Sequence, residues 1–383
     1  MSQTKAQLVS GTTTQDLTVD NINTTSVNSS QLSNRNRIIN GEAQISQRGT
    51  ISNHGTAELY TAVDRFATRI GSSFNFDVTT SQSTDAPPGF YKSLKLTPDS
   101  TSTPSGSQNG GFQQRIEGQN IQDFGFGTSS AKPITLSFYA KSGSSGAGTY
   151  SLDIRARKVD GNDYIQTRAF TVTSSWQRFT FTCEANGLAT SESLINNNTT
   201  GFVIIWHLAS GPDDQEAAKT TWVADGSMKT VSGMSNFMSA TANEFYITGV
   251  QLEVGSTATD FEHRSFGDEL NRCFRYYEQF NSNGLTEAMF ASGYFESDTR
   301  GRHCLLYSRK RATPTITASA ASTFTNLNTN NIPAGNAIEI RKPTETAAEF
   351  RLDTSTITSA DGRGCILISV SSTEATIKIS SEL

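Results

Sequence analysis

Residues 244–280 read EFYITGVQLEVGSTATDFEHRSFGDELNRCFRYYEQF, and this stretch decides the fold. Phe245, Ile247 and the run from Val250 to Val254 place aromatic and β-branched side chains at near-alternate positions, the pattern of a half-buried strand. Gly255-Ser256 ends it. Gly267-Asp268-Glu269 then puts acid into the first turn of a helix, where unpaired N–H groups and the helix dipole favour negative charge. Leu270, Cys273, Phe274 and Tyr277 follow at helical spacing, which predicts a helix over 266–280 inside a linker of residues 266–284. A β-domain therefore ends near residue 265, and a helix leads into something new.

Upstream, residues 36–265 read as that β-domain. ITLSFYA (134–140) alternates cleanly, Asp160-Gly161-Asn162 is a hairpin turn between two strand-like runs, and FVIIWHL (202–208) is a nearly continuous apolar run suited to a central strand. RIING (37–41) reads as a short strand ending in Asn-Gly. Short strands with polar connections and no βαβ pattern predict a two-sheet sandwich or jelly roll, and Pro212 to Ser239 is a connection long enough to be a functional or assembly surface. Downstream, residues 285–383 hold seven further strand-like runs, a smaller C-terminal β-sandwich. The fold class is thus all-β, with a jelly-roll sandwich, a short helix, a second sandwich and an extended N-terminal arm.

That arm, residues 1–35, is polar throughout, with isolated apolar side chains at Leu8, Val9, Leu17, Val19, Ile22 and Val27. It cannot bury enough surface to fold alone. It is either a disordered tail or a strand-like segment that becomes ordered on a partner, and the alternation Leu17-Thr18-Val19 favours the second.

Composition narrows the function classes. Charged residues are 17% and hydrophobic residues 35%, the balance being Ser, Thr, Asn, Gln and Gly. A net charge of −5 with no basic run gives no electrostatic footprint for nucleic acid. No run of about 18 apolar residues predicts a membrane span, and the first residues lack the apolar core of a secretion signal. The four cysteines are scattered, which predicts unpaired core thiols in a protein assembled in a reducing cytoplasm. No G-x-S-x-G, H-E-x-x-H or P-loop is present, and no catalytic constellation emerges from the four histidines. His207 reads as a packed strand residue and His263 as a structural hydrogen-bonder. No cofactor is expected. Asp77, Asp85, Asp123 and Glu253 are carboxylates available to a structural calcium ion, but no loop has the ordered D-x-D-x-D spacing.

Candidate ligand-binding residues are aromatics outside strand patterns, since exposed rings stack on sugar faces. Trp222, in the polar loop KTTWVADGSM, is the first; its structural alternative is a loop anchor or a subunit contact. Tyr294 and Phe295 in the C-terminal domain are the others. Trp176 and Trp206 lie in strand patterns and read as core.

Several segments carry a family resemblance: NRIINGEAQISQRGT (36–50) with YTAVDRF (60–66); FYAKS (138–142) with YITGVQLEVG (246–255) and TDFEHR (259–264); and DELNRCFRYY (268–277) with Arg311-Ala312-Thr313-Pro314 and the final Glu382-Leu383. In these the chain resembles bacteriophage virion proteins of the tail-fibre type, especially those of marine and cyanobacterial phages, and its first domain is similar in pattern to carbohydrate-binding jelly rolls. The resemblance implies a non-enzymatic virion protein, made in the host cytoplasm and assembled as a homotrimer. Its arm would dock on a tail adaptor, a nozzle or the capsid, and its body would recognise host surface polysaccharide. A capsid decoration or head-fibre protein is the rival reading. A polysaccharide depolymerase is a further alternative, although the chain lacks the short repeat of a β-helix.

Overall fold

The structure is a computed structural model. It describes residues 34–185, 188, 194–327, 334–355, 360–370 and 374–383, together with the backbone of 26–27 and 30–31, which pair antiparallel. Leu8, Val9, Leu17, Val19 and Ile22 of the arm lie outside the described residues, and of Val27 only the backbone is described.

The first sandwich is built from ten principal strands: β1 (Phe66–Gly71), β2 (Val78–Ser83), β3 (Ser93–Pro98), β4 (Asn109–Glu117), β5 (Ile134–Ser142), β6 (Gly148–Ala156), β7 (Tyr164–Val172), β8 (Gln177–Cys183), β9 (Thr200–Ser210) and β10 (Phe245–Val254). One sheet runs β8-β5-β10-β3-β2; the other runs β7-β6-β9-β4-β1, with Val223–Ala224 added beside β7. Pairing between the principal strands is antiparallel. This is the expected jelly-roll sandwich.

The apolar run of β9 is continuous because both of its faces are covered. Phe202, Ile204, Trp206 and Leu208 enter the core between the sheets. The Trp206 indole stacks on Phe112 at 5.1 Å and meets Phe66 and Phe138, forming the centre of an aromatic core. Gly111 on β4 lies opposite His207, and a Cβ there would stand 2.0 Å from the Trp206 carbonyl oxygen, so the β4–β9 approach requires glycine. On β10, Gly249 (φ +61°) sits in a bulge and lets Phe90 and Tyr139 close over the backbone.

RIING is not a strand. Asn40 has φ +61°, and the segment runs beside the end of β10 instead. β3 pairs with β10 only through Phe245–Ile247. Beyond that point Arg37 donates to the Leu252 carbonyl, Asn36 brackets Val250 and Leu252 with its side-chain amide, and the Val250 N–H donates to Gly41.

The helix α1 is shorter than its periodicity suggests, spanning Phe266–Phe274. Ser265 caps it by accepting from the Asp268 N–H at 3.2 Å. Tyr277–Asn281 is a strand, β11, rather than the helix's last turn, because it pairs along its whole length with β19 (Thr376–Ser380). The second sandwich therefore begins inside the expected linker. Its smaller sheet is β11-β19-β14, where β14 is Thr315–Ala318. Its larger sheet has the order β15-β18-β12-β13-β17-β16, from Phe324–Leu327, Gly364–Ser369, Met289–Ser297, Arg300–Leu306, Ala347–Thr354 and Gly335–Arg341.

The two sandwiches meet at a charged joint, and most of the segments carrying the family resemblance converge there. Glu382 accepts from Arg65 and, at 2.9 Å, from Arg48, which also reaches Asp64 at 3.3 Å. The Arg48 and Arg65 guanidiniums each lie 3.5 Å from a ring centroid, of Tyr277 and Tyr276 respectively. Arg275 grips Glu117 with two bonds of 2.8 and 2.7 Å, and Arg311 donates to the carbonyls of Asn198, Ser381 and Glu382. Burial pushes the Asp64 carboxyl up to about 6 despite Arg48 and Gln47.

Candidate functional site

The outer face of the six-stranded sheet alternates with its core face, and its side chains form rows across the strands. Arg69 (β1), Gly111 (β4), His207 (β9) and Ser151 (β6) share one row; Gln113, Ile205 and Asp153 the next; Arg115, Val203 and Arg155 the one after. Arg157 follows directly after β6. The connection of residues 211–236 folds back over part of this face. Lys219 exchanges hydrogen bonds with Thr167, Val231 donates to Ser151, Arg155 donates to the Ser227 carbonyl, and Ser235 donates to Thr149.

What this loop leaves open is a groove of about 410 Å³. Val203 and Ile205 form its floor, Met228 and Gly226 one lip, and Glu58, Arg69, Gln113, Arg115, Arg155 and Arg157 supply its polar groups. Because β4 and β6 flank β9, the opposing walls stand about 9–10 Å apart, twice the strand spacing.

The electrostatics are layered. Beneath the groove, Asp153 and His207 are completely buried. Asp153 accepts from Arg155 Nε at 2.9 Å and stands 4.0 Å from the His207 ring. Burial pushes the Asp153 carboxyl up to about 6 and holds His207 down at about 3, so the imidazole is neutral at ordinary pH. Neither ring nitrogen of His207 has a hydrogen-bond partner among the described residues, nor has Asp153 Oδ1. Above them, Glu58 lies between two guanidiniums, taking Arg69 on one oxygen and Arg115 on the other at 2.7 Å. Burial raises the Glu58 carboxyl, but Arg69 and Arg115 outweigh it and hold the group below the usual carboxylate range. Arg157 pairs with Asp163 at 3.2 Å, is 40% exposed along its side chain, and leaves Nε without a partner. Arg115 also donates to the Leu383 carbonyl at 2.6 Å, which ties the groove to the joint.

The expected aromatic platforms are placed differently. Trp222 is only 3% exposed; it belongs to the core and meets Phe126 edge-on at 5.5 Å and Phe202 at 6.4 Å, so the loop anchor, not the sugar platform, is its role. Phe295 is fully buried while Tyr294 is half exposed. Neighbours on one strand point to opposite faces, so the two could not both be surface rings. Tyr294 lines a separate hollow of about 350 Å³ on the C-terminal sheet, with Arg302, Cys304 and Lys342. Trp206 is core as expected, but Trp176 is a partly exposed ring that donates to Asp85 at 3.0 Å and lies edge-on to Tyr246. Cys183, Cys273 and Cys365 are buried free thiols; Cys304 is exposed. His263 makes the expected structural bond, to Glu42 at 2.9 Å. Among the described residues no group of three or more His, Cys, Asp or Glu side chains is placed to hold a metal ion.

The groove's arginines were not singled out from the sequence. Their signal was the spacing Arg155-x-Arg157, which puts two guanidiniums on one face of a strand whose other face is apolar.

No family model matches the chain, and no curated protein matches its sequence. Among solved structures it is similar to the family 11 carbohydrate-binding module of cellulosomal cellulase Lic26A-Cel5E of Clostridium thermocellum, with 14% identity over 55% of this chain and 99% of that one and a TM-score of 0.28. It is similar to the CBM22-1 xylan-binding domain of Paenibacillus barcinonensis Xyn10C, with 10% identity over 55% and 94% and a TM-score of 0.28. The enzymatically active domain of bacteriophage CBA120 tailspike protein 4 matches at 13% identity over 57% of this chain and 21% of that one, with a TM-score of 0.29.

Proposed function

We propose that this chain is a non-enzymatic bacteriophage virion protein of the tail-fibre type that binds host surface polysaccharide in the groove of its first sandwich. The observation that carries the reading is the groove's composition. Partly exposed guanidiniums stand on both sides of the groove, Arg69 and Arg115 on one and Arg157 on the other, and such donors suit the oxygens of a sugar. The groove carboxylates are engaged by arginines, Glu58 by Arg69 and Arg115, Asp153 by Arg155, and Asp163 by Arg157. That arrangement favours binding over acid–base chemistry, which needs a carboxyl free to reach the ligand. The arm of residues 1–35 attaches the chain to the particle, and three copies turn weak single contacts into avidity.

The test is an oligosaccharide array probed with the full chain and with Arg157→Ala and Arg157→Glu. Binding lost in the variants, with unchanged thermal unfolding, supports the reading. Binding that persists in both removes the groove as the site. Gold labelling of particles separates tail from capsid; label on the head shell would favour the decoration reading.

A further inference from the structure

We infer that the groove's ligand carries carboxylates, that is, an acidic polysaccharide of the uronic-acid type. This rests on the glycan reading of the groove and narrows it. The whole chain is acidic, at −5, yet around the groove four guanidiniums face three carboxylates. Of the four, Arg155 is committed to the fold. Its side chain is buried, holding Asp153 and the Ser227 carbonyl. Arg69, Arg115 and Arg157 line the groove and are partly exposed.

Glu58 shows what these arginines accept. One carboxylate spans two of them, oxygen to guanidinium on each side, from a loop outside the sheet. The pair can hold a ligand carboxylate in the same way, since guanidinium N–H groups match carboxylate oxygens in geometry and charge. Arg157, across the floor on the β6 side, is the most exposed of the four, 40% along its side chain, and can take a second acid group. A neutral sugar would draw less from three guanidiniums than a carboxylate does, because hydrogen bonds between ionised partners are the stronger ones.

Glu58 then competes with the ligand, and this makes the proposal testable in both directions. The full chain is titrated with oligogalacturonate, oligomannuronate and hyaluronan fragments, and with the methyl ester of each same oligomer. The expected result is that at least one free acid binds about tenfold or more tighter than its ester, with affinity falling as salt is raised. Glu58→Gln is expected to tighten that binding and Arg157→Gln to weaken it, while esters respond to neither. Esters that bind as well as the acids, unmoved by Glu58→Gln, would overturn the acidic class and leave the glycan groove standing. If neither acids nor esters bind, and the neutral members of the array also fail, the glycan reading falls and this inference with it. Because Arg157 is well exposed and Glu58 lies on a loop, both variants are expected to fold, and circular dichroism melts check this.

Discussion

Glu382→Gln is the sharpest test of how the two sandwiches are joined. Glu382 neutralises Arg65, whose side chain is 2% exposed, and Arg48, whose other carboxylate partner is Asp64. Among the described residues Arg65 otherwise donates only to the Arg115 carbonyl and rests on the Tyr276 ring. Removing the charge of Glu382 leaves a guanidinium buried without its counter-ion. Breaking one partner of a buried pair costs about 3–5 kcal/mol, and because Gln keeps an acceptor oxygen the lower end, about 3 kcal/mol, is expected. At about 2–4 °C per kcal/mol for domains of this size, the melting temperature should fall by about 6–12 °C. Glu345→Gln is the control: its partner Arg309 and Glu345 itself are both exposed, and the change should stay within about 0.5 kcal/mol. All three tryptophans, Trp176, Trp206 and Trp222, lie in the first sandwich, so their fluorescence follows that unit while far-ultraviolet circular dichroism follows both. A coupled joint shifts the two signals together. If Glu382→Gln melts like Glu345→Gln, the ion pair does not hold the joint; if only the circular dichroism moves, the sandwiches are not coupled through it.

Three further outcomes follow from the same geometry. Burial holds His54 and His303 down at about 4 and His207 at about 3, so the unfolded chain takes up protons first as pH drops below 6.5, whereas Asp64 and Asp153, raised to about 6, protonate first in the folded chain. Between pH 7 and 6 the three histidines cost more than the two aspartates return, so urea unfolding should show a net loss on the order of 1 kcal/mol; a gain on acidification would contradict this. Gly111→Ala places a methyl against the Trp206 carbonyl and should cost about 3 kcal/mol or prevent soluble expression, while Gly267→Ala, in helix α1 with open space around it, should cost nothing and gain up to about 1 kcal/mol in thermal denaturation. A maleimide should label one thiol rapidly in the native state, Cys304, and reach the buried Cys183, Cys273 and Cys365 only on unfolding.

The strands were legible where one period dominated. ITLSFYA, the Asp160-Gly161-Asn162 turn and FVIIWHL all fall where their patterns place them, as β5, the β6–β7 hairpin and β9. Local pattern misled where the deciding partner was far away in the chain. Leu270, Cys273, Phe274 and Tyr277 keep a helical period past Phe274, but β19, a hundred residues on, offers Tyr277–Asn281 a full ladder of hydrogen bonds. RIING has strand composition, yet its place beside β10 is set by the bulge at Gly249 and the divergence of β3. Trp222 looked exposed because its neighbours are polar, and only the fold brings Phe126 and Phe202 against it.

Binary pattern and turn chemistry, properties of neighbouring residues, were enough to establish two β-sandwiches with a helix between them. Burial of a particular ring and the meeting of separate charges depend on contacts between residues far apart in sequence. Glu58, Arg69, Arg115 and Arg157 come from a loop, two strands and the end of a third, and no spacing in the chain announces that they line one groove. The same holds for Arg48, Asp64, Arg65 and Glu382, which are joined across more than three hundred residues. Sheet order and register decided those meetings, because they alone determine which side chains share a row.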